Sequence, residues 1–133
     1  MPDVAYTSDP SKITLDQIGA FHQDWARRVS REELIQLWRG SEWVILAMAN
    51  EKVIGYLAVI GDGTLFAFVS STEVLPEFRG LGIGSEMFRR AQVRFRDRYA
   101  FDLICDRNLV PFYERMGMME IPGMGRRNYQ GQL

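Results

Sequence analysis

The chain has 133 residues, 47% of them hydrophobic and 12% aromatic. That is enough apolar material to pack one domain spanning residues 1–133, and it argues against disorder. With 16 basic and 17 acidic residues the formal net charge is −1. The chain therefore lacks the basic excess of a nucleic-acid binder, and an anionic ligand must be held by a local arrangement of groups.

Cys105 is the one cysteine. Its setting, Leu103-Ile104-Cys105, predicts a buried, inert thiol in a strand. The lack of any disulfide framework points to a reducing compartment. No apolar run approaches the roughly 20 residues that span a bilayer. The start, Met1-Pro2-Asp3-Val4, has neither the basic beginning nor the apolar stretch of a secretion signal, so a cytoplasmic location away from membranes is expected. No His/Cys/Asp/Glu cluster has metal-ligand spacing, which predicts no metal.

Residues 4–7 predict a short first strand. Thr14-Leu15-Asp16-Gln17 resembles a helix start with Thr14 as cap, and Ile18, Phe21 and Trp25 follow at helical spacing on one face. A second helix is expected from Ser30 to about Arg39. Ser30-Arg31-Glu32-Glu33 has the capping-box form, Leu34, Leu37 and Trp38 form the apolar stripe, and Gly40 suits its end. Trp25, Trp38 and Trp43 read as core residues. His22, the single histidine, reads as a surface or half-buried helix residue.

Beyond Gly40 the period changes. Trp43–Ala49, Val53–Ile60 and Thr64–Val74 read as three antiparallel strands, joined by turns at Asn50-Glu51-Lys52 and Gly61-Asp62-Gly63. A helix is expected from Ser85 to about Tyr99, with Phe88, Ala91 and Phe95 inward. A strand over 101–105 should then pair in parallel with strand 64–74 as a βαβ crossover. Pro111 opens a short helix closed by Gly117, and 118–121 is expected to form a last strand. The order of elements predicts a mixed α/β (α+β) domain.

Strand, glycine-rich turn and helix in succession make a phosphate cradle. The first helical turn has unpaired N–H groups, and Gly80, Gly82 and Gly84 let the backbone approach an anion closely. A P-loop would require a lysine after the glycines, and none is there. For a dinucleotide fingerprint, Ser85 stands where the third glycine belongs. Asp102 does fall about 20 residues on, but little chain remains for a full dinucleotide fold. A merely tight strand-to-helix turn is the plainest alternative.

Arg79-x-x-Gly82-x-Gly84, preceded by Val74-Leu75-Pro76-Glu77, resembles the signature of the GNAT family of N-acetyltransferases. About 30 residues later, Pro111-Phe112-Tyr113-Glu114-Arg115-Met116-Gly117-Met118 is similar to that family's second motif. The resemblance covers residues 43–121 and implies a central mixed, mostly antiparallel sheet flanked by helices. It also implies acetyl-CoA as co-substrate and a primary amine, on a small molecule or peptide, as acceptor. Homodimers are common in this fold.

Residue by residue, the resemblance implies that amides of Arg79, Gly80, Leu81, Gly82, Ile83, Gly84 and Ser85 hold the CoA pyrophosphate. The main chain at Glu73, Val74 and Leu75 would pair with pantetheine, with an N–H of Val74 or Leu75 polarising the thioester carbonyl. Tyr113, beside Phe112, would sit near the sulfur and protonate the leaving thiolate. Asn108 is offset from the asparagine with which relatives bind pantetheine. Arg89 or Arg90 could meet the 3′-phosphate.

Acyl transfer needs preplaced donors for the oxyanion and a base for the amine. Some relatives place a glutamate on the strand before the loop, much of which Phe66 and Phe68 occupy here. Glu73 is the nearest acid, though its position beside the loop suggests a solvent-facing side chain. Ser70, Ser71 and Thr72 either line the acceptor pocket or mark a bulge parting the central strands. Two readings follow: an N-acetyltransferase, or a module that keeps the acyl-CoA site but only senses the ligand.

Overall fold

The computed structural model describes residues 2–128. Five strands form one sheet in chain order: β1 (Ala5–Thr7), β2 (Trp43–Ala49), β3 (Lys52–Gly61), β4 (Phe66–Val74) and β5 (Ala100–Leu103). The first four pair antiparallel and β4–β5 is parallel. Among the described residues three α-helices flank the sheet: α1 (Arg31–Gly40), α2 (Ile83–Arg94) and α3 (Val110–Arg115). This is the expected mixed, mostly antiparallel α/β sheet with flanking helices.

The two sheet faces are covered by different elements. Gly55 lies under Met87 of α2, where an added Cβ would stand 3.4 Å from the methionine methyl. On the opposite face Tyr56 meets Trp38 of α1, with ring centroids 5.5 Å apart, and Phe21 at the same distance. β3 is thus buried on both sides, which explains its nearly continuous apolar sequence. α1 is fixed as its capping box predicts. Ser30 Oγ accepts from the Glu33 N–H, and Glu33 Oε1 accepts from the Ser30 N–H, both at 3.1 Å.

Several expectations fail for local reasons. No helix follows Thr14; one 3₁₀ turn (Leu15–Gln17) gives way to extended chain, where Ile18 bridges Val53 of the sheet. Gly19 then passes so close to Leu75 that a Cβ would lie 2.6 Å from its Cδ1. Pairing and close backbone contact prevail over helical spacing, and His22 takes a left-handed φ of 63°. Ile18 and Phe21 are still buried, but Trp25 is 46% exposed and Trp43 only half-buried.

β4 begins at Phe66 rather than Thr64, because Asp62 Oδ1 accepts from the N–H groups of Thr64, Leu65 and Phe66. α2 starts at Ile83 and ends at Arg94, short of Tyr99. The chain unwinds where Arg98 turns to pair with Glu42 and to donate to the Phe66 carbonyl at 3.3 Å. β5 stops at Leu103, leaving Cys105 half-buried outside the strand. Residues 118–121 form no strand: the chain leaves α3 through Gly117 (φ 94°), and Pro122 has no N–H for a ladder.

Candidate active site

The pairing of β4 changes partway along. Ala58 pairs with Ser71 but Val59 with Val69, so Ser70 is an extra, bulged residue. Of the two readings of the serine run, the bulge is the one realised. Parallel pairing to β5 covers Phe66–Val69 and ends there. Among the described residues the β5 side of β4 carries no strand partner from Ser70 onward, and a gap opens between the two central strands.

The ladder determines which backbone groups face that gap. The Leu75 N–H donates to the Ile54 carbonyl at 2.8 Å, toward β3. Alternation along an antiparallel strand then turns the N–H and C=O of Val74 and Thr72 the other way, into the gap. Of the two candidate donors, Leu75 is occupied and Val74 is free of the ladder. The Val74 carbonyl accepts from Arg79 Nε at 2.8 Å.

The glycine turn follows at once. Gly80 and Gly82 have φ of 79° and 83°, and a Cβ at either would meet nothing within 4 Å. The demand for glycine there is conformational. Gly82 is the N-cap of α2, and the first N–H to bond back is that of Glu86, to the Gly82 carbonyl at 3.0 Å. The N–H groups of Ile83, Gly84 and Ser85 are therefore the orphan donors of the first turn, at the positive end of the helix. Arg79 does not extend over this turn; its guanidinium bends back to Val74 and lies 3.7 Å from Glu73 Oε1. Arg89 and Arg90 both bind Glu86, at 2.6 and 2.7 Å.

Across the gap stands α3, tied to α2 by a hydrogen bond from Gln92 Nε2 to the Met116 carbonyl at 2.8 Å. The Tyr113 ring packs edge-on against Phe88 (5.1 Å) and Phe112 (4.9 Å). Burial pushes its hydroxyl pKa up. Tyr113 also lines a cavity of about 780 Å³, with Phe68, Leu103, Cys105, Met118 and Ile121. Asn108 sits exposed in the 3₁₀ turn before α3. Tyr113 thus packs on Phe88 of α2, the helix whose N-terminus carries the glycine turn, and Asn108 lies just before α3.

Glu73 differs from its expectation. Its side chain is only 12% exposed, on the α1 face of the sheet opposite Tyr56. Oε2 accepts from the His22 backbone N–H at 2.8 Å. Burial raises its pKa above the ordinary value, and the nearby Arg79 charge only partly offsets this. His22 itself is 1% exposed, not a surface residue, and Tyr56 Oη lies 2.8 Å from its Nε2. Sequence reasoning missed His22 and Tyr56 as neighbours of Glu73. The only signals were a lone histidine and one hydroxyl-bearing ring in an apolar strand.

Among the described residues no group of three or more His, Cys, Asp or Glu side chains could hold a metal. Nor is any described helix long and apolar enough to cross a membrane.

The model of the acetyltransferase (GNAT) family matches residues 11–118. A proposed acetyltransferase of Deinococcus radiodurans R1 superposes with a TM-score of 0.92 at 34% identity, covering 98% of this chain and 92% of that one. A GNAT-family acetyltransferase of Streptococcus pneumoniae TIGR4 gives 0.72 at 27% identity, covering 96% and 98%. The uncharacterised N-acetyltransferase ycf52 of Pyropia yezoensis is 25% identical over 103 residues, 74% of this chain. The match spans 59% of that relative's length. With the family model covering most of its length and its strand–glycine turn–helix core in place, the chain belongs to the acetyltransferase (GNAT) family.

Proposed function

We propose that residues 1–133 act as one N-acetyltransferase domain that moves an acetyl group from acetyl-CoA to a primary amine. The observation that carries this reading is the unpaired edge of β4, which runs from the Ser70 bulge into the glycine turn, with Tyr113 beyond it. An extended pantetheine could add to that edge as a strand does, while the orphan amides from Gly82 to Ser85 take the pyrophosphate. Phe112 and Asn108 would border the pantetheine arm. The reading places the enzyme in the cytoplasm, where a lone thiol stays reduced.

In this reading the amine nitrogen attacks the thioester carbonyl, forming the C–N bond. The Val74 N–H stabilises the oxyanion, and Glu73 takes the proton that the nitrogen sheds. As the C–S bond breaks, the Tyr113 hydroxyl gives its proton to the thiolate. An ordinary tyrosine of pKa about 10 does this modestly uphill against a thiol of about 8.5. Burial of Tyr113 makes the step somewhat steeper and keeps the hydroxyl protonated until needed.

The test is thiol release from acetyl-CoA with n-butylamine, glucosamine and a short lysine peptide, alongside thermal shift with acetyl-CoA alone. Turnover with any of the three supports the enzyme. A melting shift without thiol release would favour an acyl-CoA sensor, and no shift at all would remove the CoA site.

A further inference from the structure

The buried polar group on the α1 face is more ordered than packing requires. His22 sits in a left-handed turn, its imidazole 1% exposed, with the Trp25 ring edge-on at 3.7 Å between centroids. Its Nε2 is 2.8 Å from Tyr56 Oη. Its Nδ1 is buried without any hydrogen-bond partner and lies 4.0 Å from Glu73 Oε2. A buried ring nitrogen that makes no hydrogen bond and lies 4.0 Å from a carboxylate needs a reason, since an unmade hydrogen bond costs about 1–3 kcal/mol.

The proton inventory gives one. Tyr56 has one hydroxyl proton to place. Ser71 Oγ is near enough to act on that hydroxyl, yet it has no partner of hydrogen-bond geometry. The Tyr56 proton therefore goes to His22 Nε2. A neutral imidazole carries one proton, so it must then sit on Nδ1 and point at Glu73. The same residue already donates its backbone N–H to that carboxylate oxygen at 2.8 Å.

We propose that Tyr56, His22 and Glu73 form a positioning chain, in which Tyr56 locks the His22 tautomer and His22 holds the Glu73 carboxylate through its backbone N–H at 2.8 Å, with the polarity of the ring N–H facing the same oxygen from 4.0 Å. This rests on Glu73 being the base in the proposed reaction. The ring keeps its own proton throughout. The mobile proton passes only from the acceptor nitrogen to a Glu73 oxygen, whose carboxylate the His22 backbone N–H holds at 2.8 Å. The other charged groups that act on Glu73 are Arg79, 3.7 Å away, and Asp24.

Because His22 is the only histidine, 15N-histidine labelling of the full chain gives a single ring to read. Long-range 1H–15N spectra are expected to show the Nδ1–H tautomer from about pH 8 down to about pH 5. Glu73→Gln should shift the Nδ1 resonance while keeping that tautomer, and Tyr56→Phe should release it. An Nε2–H tautomer in the wild type, or an Nδ1 resonance indifferent to Glu73→Gln, overturns the proposal. If Tyr56→Phe does not fold, the other two spectra decide.

Turnover of n-butylamine supplies the second readout. His22→Asn should lower kcat roughly 10²-fold, with acetyl-CoA binding unchanged, as for a base held about 1 Å out of place. It should also move the acid limb of kcat/KM. An unmoved limb would mark His22 as a packing residue only. The spectra require no acceptor, so an intact tautomer lock without any acetyl transfer counts against the proposed reaction alone.

Discussion

His22 and Glu73, 51 residues apart in sequence, meet twice: the His22 backbone N–H donates to Glu73 Oε2 at 2.8 Å, and the His22 ring lies 4.0 Å from the same oxygen. Both groups are held away from water, and burial moves their pKa values in opposite directions.

Those opposite shifts predict a divided pH dependence of stability. Burial holds His22 at about 4, below the ordinary 6.5. The unfolded chain takes up a proton there that the native one refuses, so stability falls as pH drops from 6.5 toward 4. The amount is on the order of 3 kcal/mol. Glu73 has the reverse sign. Its raised native pKa favours the fold at low pH, and that contribution is lost as pH rises through the native value. Melting curves across this range should flatten for His22→Asn. Glu73→Gln should melt higher than wild type at neutral pH and lose that advantage below about 4.5, the ordinary glutamate value.

Tyr113→Phe keeps the ring that packs on Phe88 at 5.1 Å and removes only the hydroxyl. Stability and acetyl-CoA affinity should be unchanged, while kcat falls roughly 10²-fold, as for loss of a general acid. Equal kcat values for the two proteins, by thiol release, would assign the proton to water.

Two glycines of the turn differ in what they require of the backbone. Gly82→Ala places a Cβ at φ 83°, which costs about 1–2 kcal/mol even in open space. Gly84→Ala meets only Val74 Cγ2, at 3.9 Å, inside a helix that alanine favours. Calorimetric melting should therefore fall for Gly82→Ala and hold or rise for Gly84→Ala. Titration with acetyl-CoA should show weaker binding for Gly82→Ala, whose strained turn displaces the orphan amides, and unchanged binding for Gly84→Ala, whose methyl meets only Val74.

The ladder predicts a contrast between neighbouring backbone amides. Replacing the amide of Leu75 by an ester removes the 2.8 Å bond to the Ile54 carbonyl and should cost about 1 kcal/mol of stability. The same change at Val74 removes an N–H outside the β3 ladder. It should leave denaturant midpoints alone and lower kcat roughly 10²-fold, as for an oxyanion donor. Semisynthetic proteins assayed for both properties test whether the two effects separate.

The five strands that form, the capping box of α1, the inward face of α2 and the glycine turn were legible in the sequence, which also suggested a strand at 118–121 that does not form. Each follows from local periodicity or from a backbone conformation that one residue type supplies. Ser70 could be read as a bulge or as pocket lining, and only the pairing of Ala58 with Ser71 and Val59 with Val69 decided it. The stretch after Thr14 misled because helical spacing is a local signal, whereas the pairing of Ile18 with Val53 and the approach of Gly19 to Leu75 are not. For the same reason His22 read as a surface or half-buried helix residue. Its burial, its ring partner and its place beside Glu73 come from chain distant in sequence, and tertiary structure alone decides which buried polar groups must satisfy one another.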